Sequence, residues 1–368
     1  MFRRILAQCQ KELAQFRRDR LTVALAFLLP LGMMLIYGFA IRLEAQNLPI
    51  SVQDFDRSPL SRTYIARLFA TNQFIPVRSG ESPTDSLDRG DAIASVVIPP
   101  DFSRKIKADK DVDVQVLVDG SDVNNARVVQ NSIRATTNFF IQTNQLQPPA
   151  ERSVDAEVRL WFNPGLREAL YIVPGAFAVV LWVFPSMLSA IAVVREKEQG
   201  TILQVYSSDL TSFEWLLGKV MAYVVVAAGE ATLVMGVAIL LFRMEFATNP
   251  LPLLVGTFVY LLSSVSFGTF IGVRSSNQNA AVQGTAIAGF LSSFLLSGFI
   301  YRIDNIPFPL SLICNIIPAR YYILITRDTF VRGTGWIGIW YAPIIILVIG
   351  CLLFLVSTKI MSKMQLKE

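Results

Sequence analysis

Residues 193–220 read VVREKEQGTILQVYSSDLTSFEWLLGKV. The four charged residues of REKE, residues 195–198, directly follow a long apolar run, and a second apolar run begins near Trp215. About 20 apolar residues suffice for a helix to cross the hydrocarbon core of a bilayer. The stretch is therefore predicted to link two transmembrane helices on one side of a membrane.

The composition is that of a membrane protein. Of 368 residues, 53% are hydrophobic and only 17% are charged, and the mean hydropathy is +0.48. The net charge of +5 is expected to come from cytoplasmic loops, and no basic stripe interleaved with aromatic residues indicates nucleic-acid binding. The chain has no histidine, and Cys9, Cys314 and Cys351 are dispersed. These counts exclude a zinc site or a Cys-His nucleophile, and we expect no metal or cofactor on this chain.

Six apolar runs are long enough to span the bilayer, which predicts a polytopic α-helical protein with six transmembrane helices. The first is not a cleaved signal peptide, because its charged lead is long and no small-residue cleavage pattern follows. The six predicted spans are 21–41, 171–194, 216–242, 251–273, 279–300 and 338–358.

Basic residues flank the two ends of this membrane region, which places both termini in the cytoplasm. Residues 1–20 then form a cytoplasmic amphipathic segment, and residues 359–368 form a cytoplasmic tail. Segment 301–337 argues against this orientation, since the same topology puts its four arginines outside. The six-span count and the N-terminal cluster outweigh that segment. The basic residues concerned are Arg3, Arg4, Lys11, Arg17, Arg18 and Arg20 before the first span, Lys359, Lys363 and Lys367 after the last, and Arg302, Arg320, Arg327 and Arg332 in the outer segment.

Residues 42–170 are predicted to form an extracytoplasmic α+β domain inserted between helices 1 and 2. Alternating or continuous apolar patterns predict strands at 48–56, 92–100 and 113–120, and helical spacing predicts helices at 58–69 and 124–144. Asp119, Gly120 and Asp122 are interpreted as a turn with a helix cap, because the further ligands of a calcium loop are missing.

The ends of the charged connection carry their own signals. Thr211 and Glu214, in TSFE, have the spacing of a capping box that starts a helix. Gly200 is expected to end the preceding helix and to leave REKE on its last turns. From the residues alone, the charges could equally belong to a solvated loop with snorkelling side chains.

A longer pattern resembles the permeases of the ABC type-2 transporter family. In that family R-E-K-E-x-G-T, an L…S segment and L-L-G-K occur in the order found here. WFNPGLREALYIVPGAFAVVL and SGFIYRIDNIPFPLSLICNIIPARYYILITRDTFVRG are similar to its flanking regions, as are DFDRSPLSR, VVIPPDF and LVDGSD in the inserted domain. One departure is Tyr301-Arg302-Ile303, where the family usually has a Pro-Ile pair after S-G-F.

The resemblance implies an export permease whose cytoplasmic loop 195–215 docks on a separate ATP-hydrolysing subunit. The chain itself is not expected to be an enzyme, because FEWLLGKV departs from a phosphate-binding loop at two positions. Phe213 stands where the loop requires Gly, and Val220 stands where it requires Ser or Thr. ATP and Mg²⁺ would therefore be bound by the partner. The residues assigned to coupling are Arg195, Glu196, Lys197, Glu198, Gly200, Thr201, Thr211 and Glu214.

Four residues are candidates for the substrate path. Glu230 is the only acid deep in a predicted span, where an ionisable group is costly; it could also be a protonated, hydrogen-bonded group or face a polar interior. Pro318, Tyr322 and Arg327 resemble the family's short outer helix pair, which dips into the membrane within segment 301–337. The alternative is that Tyr321 and Tyr322 are interfacial aromatic residues beside headgroup-anchoring arginines.

Other function classes remain open at this point. A non-transporting membrane receptor or scaffold would use the outer domain to bind a partner. A secondary transporter should show several intramembrane acids, and an intramembrane hydrolase should show paired catalytic acids or histidine. For an exporter we expect a hydrophobic or amphipathic substrate, a location in the cell inner membrane, and contact with membrane lipid. Its expected partners are an ABC ATPase and a second permease, the same or similar, and a periplasmic adaptor is a further candidate.

Overall fold

The structure is a computed structural model of the chain. It describes residues 1–40, 47–71, 73–78, 80, 82–108, 110–119, 123–143, 167–202, 210–300, 303 and 306–364. The chain divides into two compact units, one formed by Met1–Ile41 with Arg159–Glu368 and the other by Arg42–Val158.

The first unit is helical. Its elements are α1 (Phe2–Arg18), α2 (Arg20–Ala40), α7 (Ala169–Glu198), α8 (Ser212–Leu241), α9 (Leu251–Arg274), α10 (Gln278–Thr285), a π-helical turn (Ala286–Phe290), α11 (Leu291–Leu295), α12 (Leu310–Ile313), a 3-10 turn (Cys314–Ile316), α13 (Pro318–Arg327), a second π-helical turn (Asp328–Arg332), α14 (Trp336–Ile339) and α15 (Tyr341–Met364).

Within the described residues, five helices are long and apolar enough to cross a membrane: Arg20–Ala40, Ala169–Glu198, Ser212–Leu241, Leu251–Arg274 and Tyr341–Ser362. The sixth predicted span, 279–300, differs from these five. Its helical part ends at Leu295, and a π-helical turn separates α10 from α11. The protein is thus a helical membrane protein with five candidate spans, and the six-span count stays a prediction.

Helix α7 forms the centre of this unit. In its most apolar window 78% of the residues are buried, compared with 22% in α2 and in the last span. It packs most extensively against α9, where Gly268 and Gly272 lie directly against the backbone carbonyls of Ser186 and Ala190. Small residues at this spacing let two transmembrane helices approach closely, and here they leave no space for side chains at either glycine position.

Polar side chains add hydrogen bonds to the same helix pair. Tyr260 Oη donates to the Ala178 carbonyl at 2.6 Å, and Ser264 Oγ donates to the Trp182 carbonyl at 2.7 Å. Within an apolar interior, such bonds satisfy polar groups that would otherwise be costly. Helices α7 and α9 are therefore joined along most of their length.

The second unit contains a four-stranded sheet. Its elements are β1 (Leu48–Asp54), α3 (Pro59–Ala70), β2 (Phe74–Val77), α4 (Asp85–Asp88), β3 (Ala94–Ile98), α5 (Phe102–Lys107), β4 (Gln115–Val118) and α6 (Val123–Thr143). The strand order is β2-β1-β3-β4, with β1 parallel to both neighbours and β4 antiparallel to β3.

The structure confirms the three predicted strands and both predicted helices of this unit. Strand β2 was not predicted, because it has only four residues and contains Pro76, which a strand tolerates at a sheet edge. Asp119 lies at the end of β4, whereas Gly120 and Asp122 of the predicted turn lie outside the described residues.

Gly268→Leu is expected to separate α7 from α9 and to destabilise the folded protein, because the added side chain meets the Ser186 backbone. The matched control is Gly236→Leu on α8, where a Cβ atom has no neighbour within 4 Å. The measurement is the melting temperature of the purified protein in detergent, together with its yield in the membrane fraction. Equal stability of the two variants would contradict this account of the packing.

Candidate functional site

The REKE residues occupy the last turn of α7, as predicted. The helix ends at Glu198, and Gly200 adopts a left-handed conformation with φ +69°. Glycine takes this conformation without steric cost, which explains why the helix stops here. Residues 203–209, the middle of the predicted coupling loop, lie outside the described residues.

Glu196 lies inside a buried charge network. Its carboxylate accepts hydrogen bonds from Lys219 Nζ at 3.1 Å, from Trp215 Nε1 at 3.1 Å, and from Lys11 Nζ. Lys219 also donates to Glu12 Oε1 at 2.7 Å and to the Ala192 carbonyl at 3.2 Å. We refer to Lys11, Glu12, Glu196, Trp215 and Lys219 as the buried network.

The network balances two carboxylates against two ammonium groups, and it joins α1, α7 and α8. The side chain of Lys219 is only 2% exposed, and its three N–H donors each have an acceptor. An unpaired ammonium group at such a site would be very unfavourable. The N-terminal helix α1 is therefore needed to complete the environment of Lys219.

The two network residues on α1 have shifted pKa values. Burial raises the pKa of the Glu12 carboxyl above its ordinary value, and the charge of Lys219 acts in the opposite direction. Burial alone would lower the pKa of the Lys11 amine, but its hydrogen bond and charge interaction with Glu196 outweigh this, so the pKa is raised. Lys11 thus stays positively charged beside Glu196.

The other three REKE side chains also bind within the chain. Arg195 Nη1 lies 3.4 Å from Asp19 Oδ2, between α1 and α2. Lys197 Nζ donates to carbonyls at the end of α9, including that of Gly272 at 3.0 Å. Glu198 accepts a hydrogen bond from the backbone N–H of Gln278 at 2.8 Å, at the start of α10.

These contacts give the motif a role within the chain. The family resemblance assigned the four charges to coupling with a separate subunit, which stays a prediction. Each charge has a partner inside this chain, and the partners lie on five other segments: α1, the α1–α2 junction, α8, α9 and α10. The motif thus joins helix ends, and the inward direction of Glu196 reflects the buried Lys219 on α8.

The predicted capping box at the start of α8 is confirmed. Thr211 Oγ1 accepts from the Glu214 N–H at 3.2 Å, and the Glu214 carboxylate accepts from the Thr211 N–H at 3.1 Å. Arg4 of α1 approaches Glu214 at 3.9 Å. Thr201 Oγ1 donates to the Glu196 carbonyl at 3.3 Å.

Sequence reasoning missed Lys11 and Glu12 as partners of the motif. A signal was available, since Ile5, Cys9 and Glu12 recur at helical spacing and are all buried on one face of α1. An acid on the apolar face of an amphipathic helix indicates a buried basic partner. The partner is more than 200 residues away in sequence, which no local pattern reveals.

Glu230 lies in the middle of α8 and is completely buried. Within the described part of the chain, neither of its carboxylate oxygens has a hydrogen-bond partner. The side chain is enclosed within one chain, so it does not line an open surface of this structure.

The three outer candidates are parts of the packed interior. Pro318 is the first residue of α13, and Tyr322 is fully buried with its ring stacked 4.1 Å from that of Tyr260. Arg327 lies over the Tyr171 ring at 4.0 Å and donates to the Phe299 carbonyl at 3.3 Å. Tyr322 is therefore enclosed by protein, and its depth in the membrane stays a prediction. Because Arg327 is bonded within the protein, it says less about which side of the membrane segment 301–337 lies on.

Comparison with known proteins identifies the family. The model of the ABC-2 family transporter proteins matches residues 20–358. This chain belongs to the ABC-2 transporter family. It is 28% identical to the Escherichia coli (strain K12) protein named "Probable multidrug ABC transporter permease YbhS", over 98% of this chain and 94% of that protein.

Two further relatives of this ABC-2 permease come from the same organism. The protein named "Probable multidrug ABC transporter permease YbhR" is 28% identical over 92% of this chain and 94% of its own length. The one named "Inner membrane transport permease YhhJ" is 27% identical over 84% of this chain and 83% of its own length. The chain is a permease subunit of an ABC transporter.

Lys219→Met is expected to destabilise this permease strongly. It leaves Glu12 and Glu196 buried near a single, half-exposed lysine, and removal of one partner from a buried ion pair costs about 3–5 kcal/mol. Adding Glu12→Gln should restore part of the loss, because one uncompensated charge is removed. Melting temperatures in detergent measure both effects.

The control for this series is Arg195→Gln, whose ion pair has side chains 25% and 33% exposed. A partly exposed pair contributes about 0–1 kcal/mol, so this variant should melt close to wild type. A Lys219→Met protein as stable as the control would show that the buried network is not required for folding.

Proposed function

We propose that this permease is the membrane-spanning subunit of an exporter that moves a hydrophobic or amphipathic substrate out of the cytoplasm or inner leaflet. The energy comes from ATP hydrolysed, with Mg²⁺, by a separate cytoplasmic subunit. The chain lies in the cell inner membrane with six spans and both termini in the cytoplasm. It works as a homodimer or paired with a similar permease.

Several observations support this proposal. The chain resembles YbhS and YbhR, which are named as probable multidrug permeases, and YhhJ, which is named as an inner membrane transport permease. The exposed surfaces of the candidate spans are rich in large apolar side chains, such as Leu28 on α2 and Leu352 on α15. Such surfaces suit contact with lipid or with a second membrane subunit.

The observation that carries the coupling mechanism is the set of internal partners of REKE. A force applied to loop 195–215 reaches α1 and α8 through Glu196 and Lys219, α9 through Lys197, and α10 through Glu198. Because these bonds join helix ends directly, a displacement of the end of α7 is expected to displace them together. We propose that closure of the ATPase subunits on ATP pushes this joined set of helices and opens an outward path.

The test uses the permease reconstituted in liposomes with its candidate ABC ATPase subunit. Wild type should bind the subunit and change its ATPase rate. Glu198→Ala removes the bond to the start of α10 but leaves the buried network intact, so we expect retained binding with at least a fivefold weaker effect on the ATPase rate. Co-purification and phosphate release measure the two properties separately.

Gln199→Ala is the matched control, since the neighbouring side chain is exposed and forms no side-chain hydrogen bond in the described structure. If Glu198→Ala and Gln199→Ala both behave as wild type, Glu198 does not transmit the coupling. If wild type binds no ATPase subunit at all, the exporter proposal fails and a receptor or scaffold with an outer binding domain becomes the better account.

Glu230 can be tested in the same liposomes. If it serves the substrate path, Glu230→Gln changes transport of a fluorescent amphipathic substrate and leaves membrane insertion and ATPase binding unchanged. Thr232→Val is the control, because Thr232 is exposed on the same helix and its hydroxyl donates to the Ala228 carbonyl of that helix. Unchanged transport by Glu230→Gln would remove Glu230 from the path.

A further inference from the structure

The inserted unit contains a cavity that the transport mechanism above does not use. Its volume is about 650 Å³, and it lies between the segment 110–116 on one side and α6 on the other. Cavities of roughly 300–1,000 Å³ are typical of small-molecule sites. The size of this cavity therefore suits an organic molecule better than a single ion.

The inner wall of the cavity is aromatic. Tyr64, Phe102 and Phe140 line it and are 1–3% exposed. The Tyr64 ring is 5.2 Å from the Phe140 ring and 6.1 Å from the Phe102 ring, and Tyr64 Oη is already paired with Thr137 Oγ1 at 2.8 Å. These rings pack against one another, and the accessible apolar lining comes from the partly buried side chains of Ile106, Val112, Val114 and Ile141, which suits an alkyl group.

The mouth of the cavity carries charges of both signs. Lys110, Asp111, Asp113 and Arg134 all line it and are exposed. None of the four forms an ion pair with any residue that the structure describes. Two bases and two acids cancel in net charge, so the mouth favours neither a simple anion nor a simple cation but can pair with both ends of a dipolar group.

We propose that this cavity binds a zwitterionic amphiphile. The apolar part would lie against Val112, Val114 and Ile141. The cationic end of the head group would face Asp111 and Asp113, and its anionic end would face Lys110 and Arg134. The cavity lies within the inserted unit, so the binding test does not require transport or an ATPase.

The probe is octylphosphocholine below its micelle concentration, titrated calorimetrically into the full chain in lipid nanodiscs, with empty nanodiscs subtracted. Wild type should bind it saturably at one site. Octyl sulfate and octyltrimethylammonium, which carry the same alkyl chain with a single charge, should each bind at least tenfold more weakly. Dihexanoylphosphatidylcholine tests whether the natural ligand has two acyl chains or one. Tighter binding than octylphosphocholine indicates a phospholipid, and weaker binding indicates a single-chain amphiphile.

Two variants fill the cavity. Val114→Trp adds an indole on the strand side, and Asn138→Trp adds one on the exposed face of α6, so that at least one variant should fold. Both should weaken binding of octylphosphocholine tenfold or more. Gln115→Trp is the control, because Gln115 neighbours the cavity wall in sequence but is exposed and does not line the cavity.

Two charge variants test the head group. Asp111→Asn with Asp113→Asn should shift the preference toward octyl sulfate, and Lys110→Gln with Arg134→Gln should shift it toward octyltrimethylammonium. Asp88→Asn with Asp91→Asn, elsewhere on this unit, should shift neither. Absence of saturable binding, unaltered binding by folded cavity-filling variants, or charge variants without opposite shifts would each overturn the proposal.

Discussion

The buried ammonium group of Lys219 constrains how the helices of the membrane unit meet. It sits within the bundle with an exposure of 2%, so it must find acceptors inside the protein. Glu196 at the end of α7 and Glu12 on α1 supply them, and Lys11 balances the second carboxylate. The position of the N-terminal helix, the inward direction of Glu196 and the close approach of Gly218 to Gln8 all follow from this requirement.

The rest of the bundle is organised around α7. Glycines of α9 allow close packing along one side of α7, and the REKE turn at its end joins it to the ends of neighbouring helices. A helix that is buried on nearly all sides cannot move independently of its neighbours, because protein interiors are closely packed. A motion that begins near residue 198 is therefore expected to involve several helices together.

Local patterns predicted much of this fold. Apolar length identified the candidate spans, alternation identified β1, β3 and β4, and residue spacing identified the capping box of Thr211 and Glu214. The span predicted at 279–300 was less accurate, since hydropathy does not report the π-helical turn at Ala286–Phe290. Local patterns also could not predict that Glu196 of REKE points into the protein. Its direction depends on Glu12 and Lys219, which are 207 positions apart in the sequence. Sequence shows that a charge is present, but whether it faces inward depends on tertiary packing.

The contact between Glu12 and Lys219 also has a consequence for the order of assembly. During synthesis α1 emerges before its partner on α8, which follows only after the first span, the inserted unit and α7 have been made. Until α8 has been made, Glu12 lacks its Lys219 partner, and the amphipathic α1 can lie in the membrane interface with its apolar face toward the acyl chains. Helix α1 thus completes its contacts only after α8 has been inserted, although it is made well before α8.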